Sequence, residues 1–205
     1  MAPYTKIRVE QEGPHARITL AHPPQNVIDL TMMDELAAAL AEIESRSDVV
    51  TLTIAGSDNV FSAGVDVGAH TPGKVRDMLA KFHAVIRAIV ASRKVTIACV
   101  RGNCLGGGAE LAMVCDMVYT SDDATWQFPE IKLGCFPPVA AVALAALVGQ
   151  KRATELILTG RKLSGPEAAA LGLANGVAAA DDVENLVHDA CERLAQLSPA
   201  ALRVT

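Results

Sequence analysis

The sequence predicts an α/β fold, and three observations lead to that prediction. Short apolar runs typical of buried strands alternate along the chain with amphipathic helical segments. Of the 205 residues, 51% are hydrophobic and only 3% are aromatic, which indicates a core of closely packed aliphatic side chains. No internal repeat and no linker of biased composition interrupts the chain, so we expect a single domain.

The first half of the chain is predicted to alternate strands with two amphipathic helices. In the first helix Leu36, Leu40 and Ile43 share one face, and Thr31 with Asp34 resembles a capping box. The predicted elements are strands at 6–11 and 16–20, a helix at about 31–45, a strand at 49–55, a helix at about 73–91 and a strand at 94–100.

The predicted helices of the second half are concentrated in the last third of the chain. A glycine-rich turn at 101–108 links the preceding buried strand to a short helix, and Pro137-Pro138 can begin a later helix. The predicted elements are a helix at 109–115, a strand at 117–120, a loop or short strand at 126–134, and helices at 138–148, 151–159, 165–171 and 182–196.

Composition excludes several functional classes. A net charge of -5 argues against nucleic acid or an anionic membrane as the main partner. No apolar run reaches the roughly 18–20 residues of a membrane span. The five cysteines are scattered and form no C-x-x-C pair, so we expect core thiols in a reducing cytoplasm rather than a zinc or disulfide framework. The histidines show no metal-like spacing, and His70 is a candidate for the rim of a pocket.

The segment R-G-N-C-L-G-G-G-A-E-L at 101–111 is the most informative part of the sequence. Three consecutive glycines indicate unusual φ values or a close approach of the main chain to another group. The segment lacks the spacing of a dinucleotide fingerprint and the ending of a Walker A loop. Free N–H groups at a helix start suit an oxyanion or a phosphate. A tight strand-to-helix turn without a ligand is the alternative.

Two glutamates and a second glycine loop extend this candidate site. Glu110 directly follows the glycine turn, and Glu130 lies between apolar residues in F-P-E-I. An apolar environment raises the pKa of a carboxyl group toward values useful for proton transfer. The loop F-S-A-G-V-D-V-G at 61–68 follows a buried strand. One backbone donor from each glycine loop is the minimum needed to hold an enolate oxygen.

Four motifs together resemble the crotonase superfamily of enoyl-CoA hydratases and isomerases. They are F-S-A-G-V-D at 61–66, G-G-G-A-E-L at 106–111, C-D at 115–116 and P-E-I-K-L-G at 129–134, in an order and spacing that match over about residues 5–200. Within the superfamily, F-P-P-V-A-A at 136–141 and S-A-G-V-D-V at 62–67 look most like cyclohexa-1,5-diene-1-carbonyl-CoA hydratases.

The resemblance implies a spiral of ββα units with a helical C-terminal part that forms trimer contacts. It implies an acyl-CoA substrate, no cofactor besides the CoA of that substrate, and a homotrimer or a dimer of trimers. It also implies a catalytic domain at 1–198. Residues 199–205 are expected to begin a C-terminal helical segment that is cut short, because the superfamily's members continue with further helices.

The resemblance also implies roles for individual residues. The N–H groups of Val65 and Gly107 would form the oxyanion hole, Glu110 would activate water, and Glu130 would donate a proton. Both glutamates together favour hydration, because isomerases usually keep only the second acid. The remaining expected substrate and CoA contacts are Ala63, Asp66, Val67, Gly68, Gly106, Phe128 and Pro137.

Several alternatives stay open from the sequence. W-Q-F at 126–128 replaces the more usual F-G-Q, so Phe128 is either a wall for a flat acyl ring or a core residue. Arg8, Arg17 and Lys74 are candidates for the CoA phosphates. An isomerase, decarboxylase or thioester hydrolase of the same superfamily remains possible, as does a non-catalytic acyl-CoA-binding protein.

Overall fold

The computed structural model describes residues 4–57 and 60–202. Across these residues the chain forms strands and helices in close alternation, with single 3-10 turns at Val67–Ala69 and Glu130–Leu133. In chain order the elements are β1 (Ile7–Glu12), β2 (His15–Leu20), α1 (Leu30–Ser45), β3 (Thr51–Gly56), α2 (Val75–Val90), β4 (Val95–Val100), β5 (Asn103–Leu105), α3 (Gly107–Met113), β6 (Met117–Ser121), β7 (Thr125–Gln127), α4 (Pro138–Val148), α5 (Gln150–Thr159), β8 (Lys162–Ser164), α6 (Gly165–Ala170), β9 (Gly176–Ala178), α7 (Val183–Ala195) and α8 (Pro199–Leu202).

The strands form one large and one small sheet. The large sheet has the order β1-β2-β3-β4-β6-β9, and it is parallel except for the β1–β2 hairpin. The small sheet has the order β5-β7-β8, with β5 and β7 parallel. The units β4-β5-α3 and β6-β7-α4 each place their first strand in the large sheet and their second strand in the small one. The α/β class and the repeated ββα arrangement are therefore confirmed.

The large sheet is covered on both faces. Helices α1 and α2 pack against each other, and their apolar faces join the main core. Helix α7 packs on β3, β4, β6 and β9 through a second cluster that includes Val183, Val187 and Cys191. Strand β3 is buried from Thr51 to Ala55, as expected for a strand covered on both sides.

Two predicted helix starts need correction. Helix α1 begins at Leu30, and its cap is Asp29, whose Oδ1 accepts the N–H of Met32 at 2.8 Å. Thr31 and Asp34 therefore form no capping box, because both lie inside the helix and Asp34 pairs with Lys81. Helix α3 begins at Gly107, two residues before the predicted start, so the glycines at 107 and 108 belong to its first turn.

Three strands escaped prediction. Each of β5, β8 and β9 has only three residues, which is too short for an alternating or continuous apolar pattern to stand out. Strand β5 lies inside the predicted glycine-rich turn, and it proves to matter most for the site.

Most of the cysteines are buried. All five cysteines are free thiols, and four are buried. Cys135 is only half-buried, so the prediction that it is a core residue is wrong.

Helix α8 lies in the segment 199–205 that was predicted to begin a C-terminal helical part; residues 203–205 lie outside the described part. Within the described ranges no helix combines the length and the apolar content that crossing a membrane requires.

Candidate active site

The two predicted catalytic glutamates come together because each follows one of two paired parallel strands. Strands β5 and β7 are in register, with Leu105 opposite Gln127. The N–H of Gly106 continues the pairing by donating to the carbonyl of Gln127 at 2.8 Å. Parallel strands end at the same edge of a sheet, so the turns that follow them meet there. Glu110 and Glu130 consequently lie on the wall of one cavity.

The two glycine loops run side by side at the same edge. Ser62 pairs in parallel with Cys104, because the Ser62 N–H donates to Asn103 and the Leu105 N–H donates back to Ser62, each at 2.9 Å. Helix α3 then approaches the first loop so closely that a Cβ on Gly108 would lie 2.7 Å from the Cβ of Ser62. Glycine at 108 therefore allows the two loops to pack against each other.

This packing places two free backbone donors near each other. A Cβ on Gly64 would lie 3.4 Å from the Gly107 nitrogen, and one on Gly107 would lie 3.3 Å from the Val65 nitrogen. Among the described residues, neither the Val65 nor the Gly107 N–H donates to a protein acceptor. The neighbouring Asp66 N–H is used, since it donates to the carbonyl of Ile28 at 3.1 Å. Both free donors belong to residues of the cavity wall.

The cavity has a volume of about 260 Å³ and a largely apolar wall. Helix α2 supplies Val75, Met78, Leu79 and Phe82 to that wall. Seven of the predicted site residues also line it: Ala63, Val65, Val67, Gly106, Gly107, Glu110 and Glu130.

Four predicted contact residues lie off the cavity wall. Asp66 caps the 3-10 turn, because its Oδ1 accepts the N–H of Gly68 at 2.9 Å, and Gly68 itself is exposed. Phe128 is only 1% exposed and packs in the main core, which selects the core alternative over an acyl-ring wall. Pro137 is buried and precedes α4. These four residues therefore do not line the cavity.

Glu110 is buried and held in place by the start of α4. Its side chain is 2% exposed, and its Oε1 accepts the N–H groups of Val139 at 2.8 Å and Ala140 at 3.0 Å. Burial, and after it the charge of Glu130, raise the pKa of Glu110, whereas the two backbone hydrogen bonds lower it; the net result is a pKa of about 7. This carboxyl group can therefore gain or lose a proton near neutral pH.

The side chain of Glu130 lies against the glycine turn at Gly106. A Cβ at position 106, where φ is +52°, would lie 2.7 Å from the Oε1 of Glu130, so only glycine leaves room for this carboxyl group. The Glu130 Oε2 is buried without a hydrogen-bond partner among the described residues. Burial raises the pKa of Glu130, while a backbone hydrogen bond and the charge of His70 lower it. The cavity thus holds two carboxyl groups whose protonated forms are favoured by burial.

Several wall residues were not assigned to the site from sequence. Val75, Met78, Leu79 and Phe82 follow helical spacing within the predicted amphipathic helix at about 73–91, and nothing in that pattern assigns them to a site. Leu133, Cys135, Phe136 and Pro138, which follow Glu130, also line the cavity, and the Phe136 side chain is 63% exposed. Their position directly after the P-E motif was the available signal.

The basic residues considered for CoA lie elsewhere than the cavity wall. Arg17 forms two hydrogen bonds with Glu184, at 2.9 Å and 2.7 Å, in a separate polar groove between the β1–β2 hairpin and α7. Arg8 lies in β1, and Lys74 immediately precedes α2. Neither Arg8 nor Lys74 is part of the wall.

Comparison with known proteins identifies relatives of the chain. The model of the family "Enoyl-CoA hydratase/isomerase" matches residues 10–205. A probable enoyl-CoA hydratase, echA8, from Mycobacterium bovis is 35% identical over 204 residues, which cover 98% of this chain and 79% of that protein. A cyclohexa-1,5-dienecarbonyl-CoA hydratase from Thauera aromatica is 32% identical over 198 residues, covering 97% of this chain and 76% of that protein.

Solved structures agree with these relatives. The crystal structure of an enoyl-CoA hydratase from Bacillus anthracis matches with a TM-score of 0.94 and 27% identity, over 97% of this chain and 80% of that one. The structure of DspI from Pseudomonas aeruginosa matches with a TM-score of 0.96 and 28% identity, over 100% of this chain and 86% of that one. Since the family model spans nearly the whole sequence, and relatives above 30% identity are covered over three quarters of their length, the chain belongs to the enoyl-CoA hydratase/isomerase family.

Proposed function

We propose that the protein adds water to the double bond of an α,β-unsaturated acyl-CoA, or removes it in reverse, by way of an enolate. Its family and its relatives named as hydratases make it a hydratase-type lyase. The observation that carries the proposed mechanism is the meeting of Glu110 and Glu130 with two free backbone N–H groups on one apolar wall.

In the proposed reaction, the thioester oxygen binds between the N–H groups of Val65 and Gly107. These donors would stabilise the negative charge that develops on that oxygen as the enolate forms. Glu110 takes a proton from water as the water oxygen bonds to the β-carbon. Glu130 gives its proton to the α-carbon as the enolate collapses. One water is consumed, and one carbon–oxygen and one carbon–hydrogen bond are formed.

The surroundings of the two carboxyl groups support these roles. The two N–H donors from α4 fix one oxygen of Glu110 and leave the other for a water molecule. The unpartnered oxygen of Glu130 is buried, so a proton on it is not shared with another side chain of the described residues. The largely apolar wall around both groups lowers the local dielectric constant, which strengthens their electrostatic effect.

A cyclic dienoyl-CoA is the acyl substrate that we propose. The relative from Thauera aromatica is named for such a substrate. Val65, Phe82 and Phe136 give the cavity bulky apolar walls, and its volume of about 260 Å³ favours a compact acyl group over a long flexible chain. The CoA portion comes with the substrate, and we propose no further cofactor.

We also propose the homotrimer, or dimer of trimers, as the working form. Val142 in α4 and Leu158 in α5 are 84% and 63% exposed, and because these two helices pack against each other the two side chains fit a surface between copies. Light scattering measures the assembly directly.

The five free thiols fit the reducing cytoplasm, which we propose as the location.

The decisive experiment follows the mass of the product. The protein is incubated separately with crotonyl-CoA and with cyclohexa-1,5-diene-1-carbonyl-CoA, and mass spectrometry detects the gain of one water. Hydration of both substrates, with a higher kcat/KM for the cyclic one, supports the full proposal. Hydration of crotonyl-CoA alone supports the proposed reaction and contradicts the proposed cyclic substrate. Isomerisation of a 3-enoyl-CoA without any hydration contradicts it. Calorimetric binding of acetyl-CoA without turnover would instead indicate a non-catalytic binding protein.

A further inference from the structure

His70 is a titratable residue of the cavity wall that the proposed reaction does not use. It ends the 3-10 turn Val67–Ala69 that follows the Val65 loop, and it faces the same cavity as Glu130. His70 is exposed, so its imidazole contacts both bulk water and the cavity. Among the described residues, the other titratable side chains on this wall are Glu110, Glu130 and Cys135.

The hydrogen bonding of His70 fixes one tautomer of the neutral ring. Its Nδ1 lies 3.1 Å from the carbonyl oxygen of Asp66. A carbonyl oxygen can only accept, so Nδ1 carries the proton and the lone pair of Nε2 is free. The carbonyl itself is well placed, because the Asp66 N–H is bonded to Ile28 and the Asp66 side chain caps the turn.

Glu130 needs a source of protons that the protein interior does not supply. Its Oε2 is buried and has no hydrogen-bond partner among the described residues. Glu110 is held by two backbone N–H groups through Oε1, so it is not free to swing toward Glu130. Cys135 is a poor relay, because burial raises the pKa of its thiol. The charge of His70, by contrast, acts on Glu130.

We propose that His70 relays protons between bulk water and Glu130 and so resets the glutamate pair after each turnover. This inference rests on the proposed hydration. One hydration leaves Glu110 protonated and Glu130 ionised, which is the wrong state for the next cycle. The Nε2–H of the His70 imidazolium gives its proton to Glu130, directly or through one water, and the ring takes a new proton from bulk water. Glu110 releases its proton to water, so the full cycle consumes no net proton.

The test uses His70→Asn in the full chain. The Asn side-chain N–H can keep the hydrogen bond to Asp66, but the amide cannot carry a proton at neutral pH. His188→Asn is the matched control, since His188 is exposed on α7 and lines the separate polar groove. Rapid-quench measurements of hydration, with the substrate that the wild type turns over, separate the first turnover from the later ones.

We expect His70→Asn to complete its first turnover at the wild-type rate and then to slow. The steady-state kcat should fall about tenfold, less than the loss of a direct general acid, because water can still reach the cavity. Added imidazole should restore kcat in His70→Asn and leave His188→Asn unchanged.

Two results would overturn the relay while the proposed function stands. One is a His70→Asn variant with the kcat of the wild type. The other is an equal loss in the first and later turnovers without rescue by imidazole, which indicates a structural role. A wild-type protein that hydrates neither substrate refutes the proposed function, and the relay with it.

Discussion

Replacing Gly106 with alanine should displace Glu130 and abolish most of the activity. The new Cβ would lie 2.7 Å from the Glu130 Oε1, whereas an ordinary contact needs at least 3.4 Å, so the carboxyl group must retreat by about 0.7 Å. A misplacement of about 1 Å can cost on the order of 100-fold in rate, so we expect a loss of kcat of roughly that size. The positive φ of residue 106 adds a stability cost of about 1–3 kcal/mol.

A matched variant separates the displacement from the backbone strain. Gly13 has a φ of +54°, close to the +52° of Gly106, but a Cβ there would meet no atom within 4 Å. Gly13→Ala should therefore lose stability and keep its kcat. The assay is steady-state hydration alongside urea unfolding, at a temperature where both variants are folded. The reasoning fails if Gly106→Ala keeps the wild-type kcat, or if Gly13→Ala loses as much activity.

Four further variants test other parts of the site. Glu110→Gln should lose at least 100-fold in kcat. It should also gain stability over the wild type above pH 7, on the order of 3 kcal/mol in urea unfolding, because burial raises the pKa of Glu110 from 4.5 to about 7. The stability that the protonated Glu110 provides is present below pH 4.5 and lost as the pH rises through 7, so equal pH slopes for variant and wild type would contradict this. Val65→Pro removes the free N–H and should lower kcat by about 100-fold, whereas Val65→Ala keeps the donor and should retain kcat on crotonyl-CoA. Phe128→Ala should cost about 3–5 kcal/mol of stability, because the ring is buried, and should leave the preference between cyclic and linear substrates unchanged.

The sequence predicts much of the fold, because long elements have clear patterns. The buried run of β3 and the apolar face of α2 could be read directly, and the superfamily motifs indicated the ββα spiral. The family and the hydratase class are confirmed. The three-residue strands β5, β8 and β9 carry no periodic signal, because their pairing depends on long-range contacts rather than on local pattern.

The sequence predicted which residues form the site better than it predicted how they are arranged in space. Motif positions indicated Glu110 and Glu130, but only the pairing of β5 with β7 shows why they meet. The sequence left Phe128 open between a wall residue and a core residue, because the pattern of a three-residue strand does not show which way the next side chain points; the structure places it in the core. Asp66 looks like a ligand contact in sequence, yet its carboxylate is used within its own turn.

The pairing of β5 with β7 has a consequence for how this scaffold changes its chemistry. Main-chain hydrogen bonds set the positions of both strand ends, and these bonds do not depend on which side chains follow. The residues at 110 and 130 can therefore change without moving the backbone that carries them. A single substitution at either position alters the available acid or base and leaves the free N–H groups of Val65 and Gly107 in place, so new reactions can arise here without rebuilding the fold.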